Sequence, residues 1–219
     1  LTSVYSMVTI NYDHILACLL KHMPQTFQGE DRYILKCRLF LILAKIRTEN
    51  GVHLHHSLKE NQIHILSDDR FHRVESFLQT AVDTGVISIS DDRIFKNSRK
   101  FTSPHDFHSV RMENPVYVTA NEVEPVKRLE DLIRKTALMP AEKIVEDIKH
   151  YLLDKAATDY HLDYKRSYAE EDSSEKPIGR PLLFKAEKAK AGILLIHGYM
   201  AAPAEMKELA RYLHEHSYT

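Results

Sequence analysis

Gly192-Ile193-Leu194-Leu195-Ile196-His197-Gly198-Tyr199 decides the fold reading of this chain. Five uninterrupted apolar residues suit a strand buried on both faces of a sheet. The glycine after His197 permits a sharp turn with no side chain in the way. Beyond Ala201-Ala202-Pro203, the spacing of Met206, Leu209, Ala210 and Leu213 predicts a helix over about Pro203–His214, packed on that strand through those four residues. Strand, glycine turn and helix leave backbone amides pointing into a cleft at the carboxyl end of a sheet, where they can bind an oxyanion.

With Pro203-Ala204-Glu205-Met206 and Leu209-Ala210-Arg211-Tyr212-Leu213, this stretch resembles the third strand, oxyanion turn and first helix of α/β-hydrolases, particularly the carboxylesterase and monoacylglycerol-lipase branch. The resemblance implies that the backbone N–H of Tyr199 is one oxyanion donor, with His197 and Gly198 supporting the turn. It also implies a serine nucleophile, an acid and a base later in chain order. No Gly-x-Ser-x-Gly occurs here, so the chain alone is expected to be inactive. His197 is read as structural, and Lys188, Lys190 and Lys207 as solvated charges. A nucleotide-binding sheet is the competing assignment, but neither G-x-G-x-x-G nor G-x-x-x-x-G-K-[ST] is present.

Upstream, Pro181-Leu182-Leu183-Phe184 reads as a further short strand, and Asp163 to Lys176, dense in charge with little to bury, as a linker. The division is therefore a helical region over 1–162, a linker over 163–176 and the incomplete start of an α/β-hydrolase domain over 177–219. Leu1 is not Met, and His216 to Thr219 stop where a strand is expected to begin, which reads as a fragment of a longer protein.

Within 1–162, apolar residues at helical spacing predict helices over Tyr12–His22, Arg32–Arg47, about Glu124–Lys135 and Ala141–Leu153. Another, capped by Asp68 or Asp69 and ended by Gly85, should bury Val74, Phe77, Leu78, Ala81 and Val82. Val86 to Ser90, the pair Asp91-Asp92 and Arg93-Ile94-Phe95 predict a hairpin. The class is α+β: a mainly helical, winged-helix-like region followed by the truncated start of a hydrolase sheet. Residues from about Val8 to Asp131 also resemble the helical tail of bacterial glycerol-3-phosphate acyltransferases. The likeness rests on Val8-Thr9-Ile10-Asn11-Tyr12 leading into Ile15 to Leu20, on the long second helix, and on Gly85-Val86-Ile87 before the hairpin.

Together the two resemblances imply an acyl ester or lipid substrate, no cofactor and no metal. They also imply a cytoplasmic location with peripheral contact to the inner membrane. Lys plus Arg total 30 against 31 Asp plus Glu, so no global field draws nucleic acid, and none is expected as a partner. The alternative function is a winged-helix interaction or nucleic-acid module on a non-catalytic α/β domain, which a cluster of Arg93, Lys96, Arg99 and Lys100 on an exposed wing would favour.

Other chemistry-bearing spacings are read as structural. His64 and Asp69 match the acyltransferase His-x-x-x-x-Asp spacing, but no glycine-rich phosphate-binding companion follows, and a helix cap with a loop histidine fits better. His53-Leu54-His55-His56 and His105-Asp106-Phe107-His108 lack a second cluster to complete a metal set. Cys18 and Cys37, inside apolar helical patterns, read as buried thiols. The longest apolar run, Leu39 to Ala44, is too short for a bilayer span.

Overall fold

The structure is a computed structural model and describes residues 8–26, 28–47, 51–102, 113–168 and 178–219. Its class is α+β: mostly helical, with a small three-stranded antiparallel sheet. The chain divides into two units, Leu1–Ile148 and Lys149–Thr219.

The first unit is built around helix α1 (Tyr12–His22), which is buried almost all round through Tyr12, His14 to Leu20 and Met23. Such a helix needs neighbours on every side. Asn11 opens it with a capping box, its side chain accepting from His14 N while His14 Nδ1 accepts from Asn11 N. Strand β1 (Glu30–Asp31) leads straight into α2 (Arg32–Ile46), capped by Asp31. Short 3-10 turns at His56–Leu58 and Ile63–Leu66 precede α3 (Arg73–Asp83). Strands β2 (Ile87–Ser90) and β3 (Arg93–Lys96) follow. Asp91 and Asp92 both have positive φ, 50° and 60°, which suits a two-residue hairpin turn whose twist matches its strands. β1 joins on the far side of β3, pairing Glu30 with Ile94, so the order is β1-β3-β2.

Helices α4 (Pro115–Asn121) and α5 (Lys127–Ala137) pack on α1, and α5 also meets α2. No helix is expected from the sequence where α4 falls. Its signals are an Asn114 cap, accepting from Tyr117 N at 3.0 Å, a proline at the first helical position, and Val116, Tyr117 and Ala120 on the buried face. α6 (Ala141–Ser167) runs well past the expected end at Leu153. Pairs at i,i+4, Lys143–Asp147 at 3.0 Å and Lys155–Asp159 at 2.7 Å, support a helix that buries only Ile144 and Ile148. Asp163 to Ser167 is accordingly helical, while residues 169–176 of the expected linker lie outside the described residues. Among the described residues no helix is long and apolar enough to cross a membrane.

The second unit departs further from expectation. Neither 181–184 nor 192–196 forms a strand, and the latter is not buried: Leu194 is 83 % and Ile196 79 % exposed. A parallel strand is covered only when other strands and helices flank it. Here its one ladder contact among the described residues is with Thr219, whose N–H donates to Ala191 O at 3.0 Å and whose carbonyl accepts from Ile193 N at 2.6 Å. That is the hydrogen-bond pattern of one parallel bridge. Between the bridged segments lie a 3-10 turn at Pro203–Met206 and helix α7 (Lys207–Glu215). Leu209 is exposed, contrary to the expected inner face, whereas Met206, Ala210 and Leu213 line an open apolar cavity of about 310 Å³ with Leu182, Phe184 and Leu195.

Candidate functional site

The turn after the extended segment is held by its own backbone. Ala201 N donates to Gly198 O at 3.2 Å, and Met200, at φ 62°, takes the left-handed conformation that completes the reversal. His197 Nδ1 lies 3.0 Å from Gly198 O, which as a carbonyl can only accept, so the contact has Nδ1 as donor. His197 thus braces the turn. Tyr199 N–H has no acceptor among the described residues, and its side chain is 99 % exposed. A free amide at this position is what an oxyanion donor requires. The surroundings fall short of an oxyanion hole, since donors act strongly only where water is excluded.

Among the described residues, several other candidate side chains serve structural contacts. Asp69 Oδ2 accepts from Val74 N at 3.1 Å and Glu75 N at 3.2 Å, so it caps α3. His64 packs edge-on against Phe71 at 5.2 Å, and its carbonyl receives the amides of Ser67, Asp68 and Asp69. No hydrogen bond joins the two side chains among the described residues. His14, 8 % exposed, bridges α1 to the end of α4 by Nε2 to Glu122 at 3.0 Å. Its other nitrogen, Nδ1, faces the Asn11 cap, 3.3 Å from the backbone N and 2.7 Å from Oδ1.

Cys18 is fully buried, and burial pushes its thiol up to about 12; Cys37 is shifted upward for the same reason. Both are poor nucleophiles at neutral pH. His55 Nδ1 is taken by Ser57 Oγ at 2.8 Å. Among the described residues no three His, Cys, Asp or Glu side chains converge as a metal set. His105 to His108 lie outside the described residues.

The basic wing does not assemble. Arg93 donates to Gln28 O at 2.9 Å, and Lys96 turns inward, donating from Nζ to Lys21 O at 2.7 Å and Met23 O at 2.8 Å. There it closes the carboxyl end of α1, where a cation complements the helix dipole. Burial lowers its ammonium to about 8. The sequence shows only an alternating lysine in a strand, with nothing to announce that it faces another helix's end.

The chain was compared with protein-family models, curated proteins and solved structures. None matches.

Proposed function

We propose that this chain is the junction of a lipid-ester enzyme: an acyltransferase-tail-like helical module, then a charged connection, then the opening strand, oxyanion turn and helix of a serine ester hydrolase. The supporting observation is the parallel bridge at Gly192 and Thr219 across α7, with a free Tyr199 amide at the turn between them. The chemistry is acyl transfer to water through a serine ester, with Tyr199 N–H as one oxyanion donor. The substrate is an acyl ester or lipid, met at a membrane surface. Residues 192–196 are exposed except Leu195, which is half-buried, so they are not part of a closed sheet, and the sequence contains no Gly-x-Ser-x-Gly. By itself it is a half-built site.

The test is fluorophosphonate labelling of this chain and of any longer product of its gene. The 219-residue chain should remain unlabelled and a longer product should label. In that longer product Tyr199→Pro, which removes the N–H, should lower turnover ~100-fold or more, while Tyr199→Ala should change it little. Labelling of a serine within these residues, or equal activity of the two variants, would refute the reading.

A second reading is favoured by the order helix, strand, helix, helix, hairpin with sheet order β1-β3-β2, the arrangement of a winged helix. The inward Lys96 and the acidic pair Asp91-Asp92 at the wing tip suit a protein contact rather than nucleic acid. Salt-dependent binding of duplex DNA would overturn that preference.

A further inference from the structure

The second unit has secondary structure but no core. Among its described residues none is buried: α7 covers no side chain fully, and the buried apolar residues of the chain all lie in the first unit. An ordered segment loses conformational entropy, and without burial nothing offsets that loss. The order of this unit therefore calls for a covering surface.

That surface has a defined place. Leu182, Leu183 and Leu194 border the open cavity beside α7, and Ile196, Tyr199 and Met200 continue from it along the extended segment and its turn. Leu194, Ile196, Tyr199 and Met200 are 79–99 % exposed. If all six side chains are covered, each copy contributes on the order of 800 Å², about what one partner supplies to a stable interface.

Two features select a second copy of this chain as the cover. Residues 191–204 contain no Asp, Glu, Lys or Arg, so identical faces meet about a two-fold axis with no like charges between them. The two ends of the face also differ in charge. Lys185, Lys188 and Lys190, against Glu187, lie at the end where Lys190 N donates to Ser217 O. Glu205 and Glu208, against Lys207, lie at the opposite end, where α7 begins; Glu208 also reaches Arg211 of its own helix. An antiparallel pair sets each basic end beside the other copy's acidic end, whereas a parallel pair sets like beside like.

We propose that two copies of this chain associate antiparallel through the open apolar face between Leu182 and Met200, as a closed dimer. Leu194 and Ile196 form its centre and the charged ends its rim. The dimer goes beyond the hydrolase reading and is separable from it: labelling of a longer gene product decides that reading, and the mass of the 219-residue chain decides this one.

The full chain is followed by sedimentation equilibrium over about 1–100 μM. A rise from the mass of one chain to that of two is expected. Leu194→Asp/Ile196→Asp sets unpaired carboxylates in the centre and should weaken association ~100-fold or more. Lys188→Glu/Lys190→Glu leaves the apolar residues intact, which keeps the test open if the first variant misfolds. It should weaken association about tenfold, an effect that added salt reduces. In a mixture of isotope-labelled and unlabelled chains, carbodiimide should join Lys188 or Lys190 of one copy to Glu205 or Glu208 of the other. A chain that stays monomeric throughout, association that both variants leave unchanged, growth past two copies, or cross-links between copies confined to other residues would overturn the proposal.

Discussion

Arg38 is the polar side chain whose loss should destabilise the first unit strongly. It is 5 % exposed, and its guanidinium joins three elements. Nε donates to Glu30 Oε1 at 3.1 Å on β1, and one terminal nitrogen donates to Thr136 O at 2.6 Å and Met139 O at 2.7 Å at the end of α5. Arg38→Ala leaves a mostly buried carboxylate without its counter-charge and two carbonyls without donors. Removing one partner of a buried pair costs about 3–5 kcal/mol, against a total stability of roughly 5–15 kcal/mol for a domain. The chain has no tryptophan, so urea unfolding is followed by far-UV circular dichroism.

A loss of about 3–5 kcal/mol is expected for Arg38→Ala. Glu30→Ala should cost less, because Arg38 keeps both carbonyls and Glu30 is nearer water. The double variant should fall short of the sum of the singles, as it must for groups in contact. A loss under about 1 kcal/mol for Arg38→Ala, or strict additivity, would show that the guanidinium is not the clamp described.

Lys96 makes stability depend on pH. Its folded value of about 8 lies below the ordinary 10.5, so between these values the unfolded chain holds a proton that the folded one has released, and stability rises with pH. Cys18, shifted from 9.0 to about 12, acts in the opposite direction above pH 9. The urea midpoint should therefore climb between pH 8 and 9, and Lys96→Met should abolish the climb; a flat wild-type profile refutes the assignment. Gly29 has φ +66°, and an added Cβ would stand 3.0 Å from Ile94 O and 3.1 Å from the Phe95 ring. Gly29→Ala should cost about 1–3 kcal/mol by urea unfolding, and an unchanged midpoint would place the turn elsewhere.

Local periodicity was enough to place α1, α2, the buried face of α3 and the hairpin, because each depends on contacts between residues a few positions apart. Tyr12–His22 matches the sequence expectation residue for residue. β1 escaped notice because two residues carry no period, and it exists only through its pairing with β3 some sixty positions away. α4 was hidden by the polar surroundings of its cap.

The proposed site divides in the same way. The glycine turn and the helix after it were legible, since a glycine and a 3.6-residue period are local properties. Whether Gly192 to Ile196 became a buried strand was not, since an apolar run can be covered only by other strands and helices, and among the described residues it has Thr219 alone as a ladder partner. Nor could composition distinguish Lys96, which closes a helix end, from Lys59, which faces an open cleft. Residue types specify charge and size, but the number of neighbours around a side chain is set by long-range packing, and that number decides whether a lysine closes a helix end or stays at the surface.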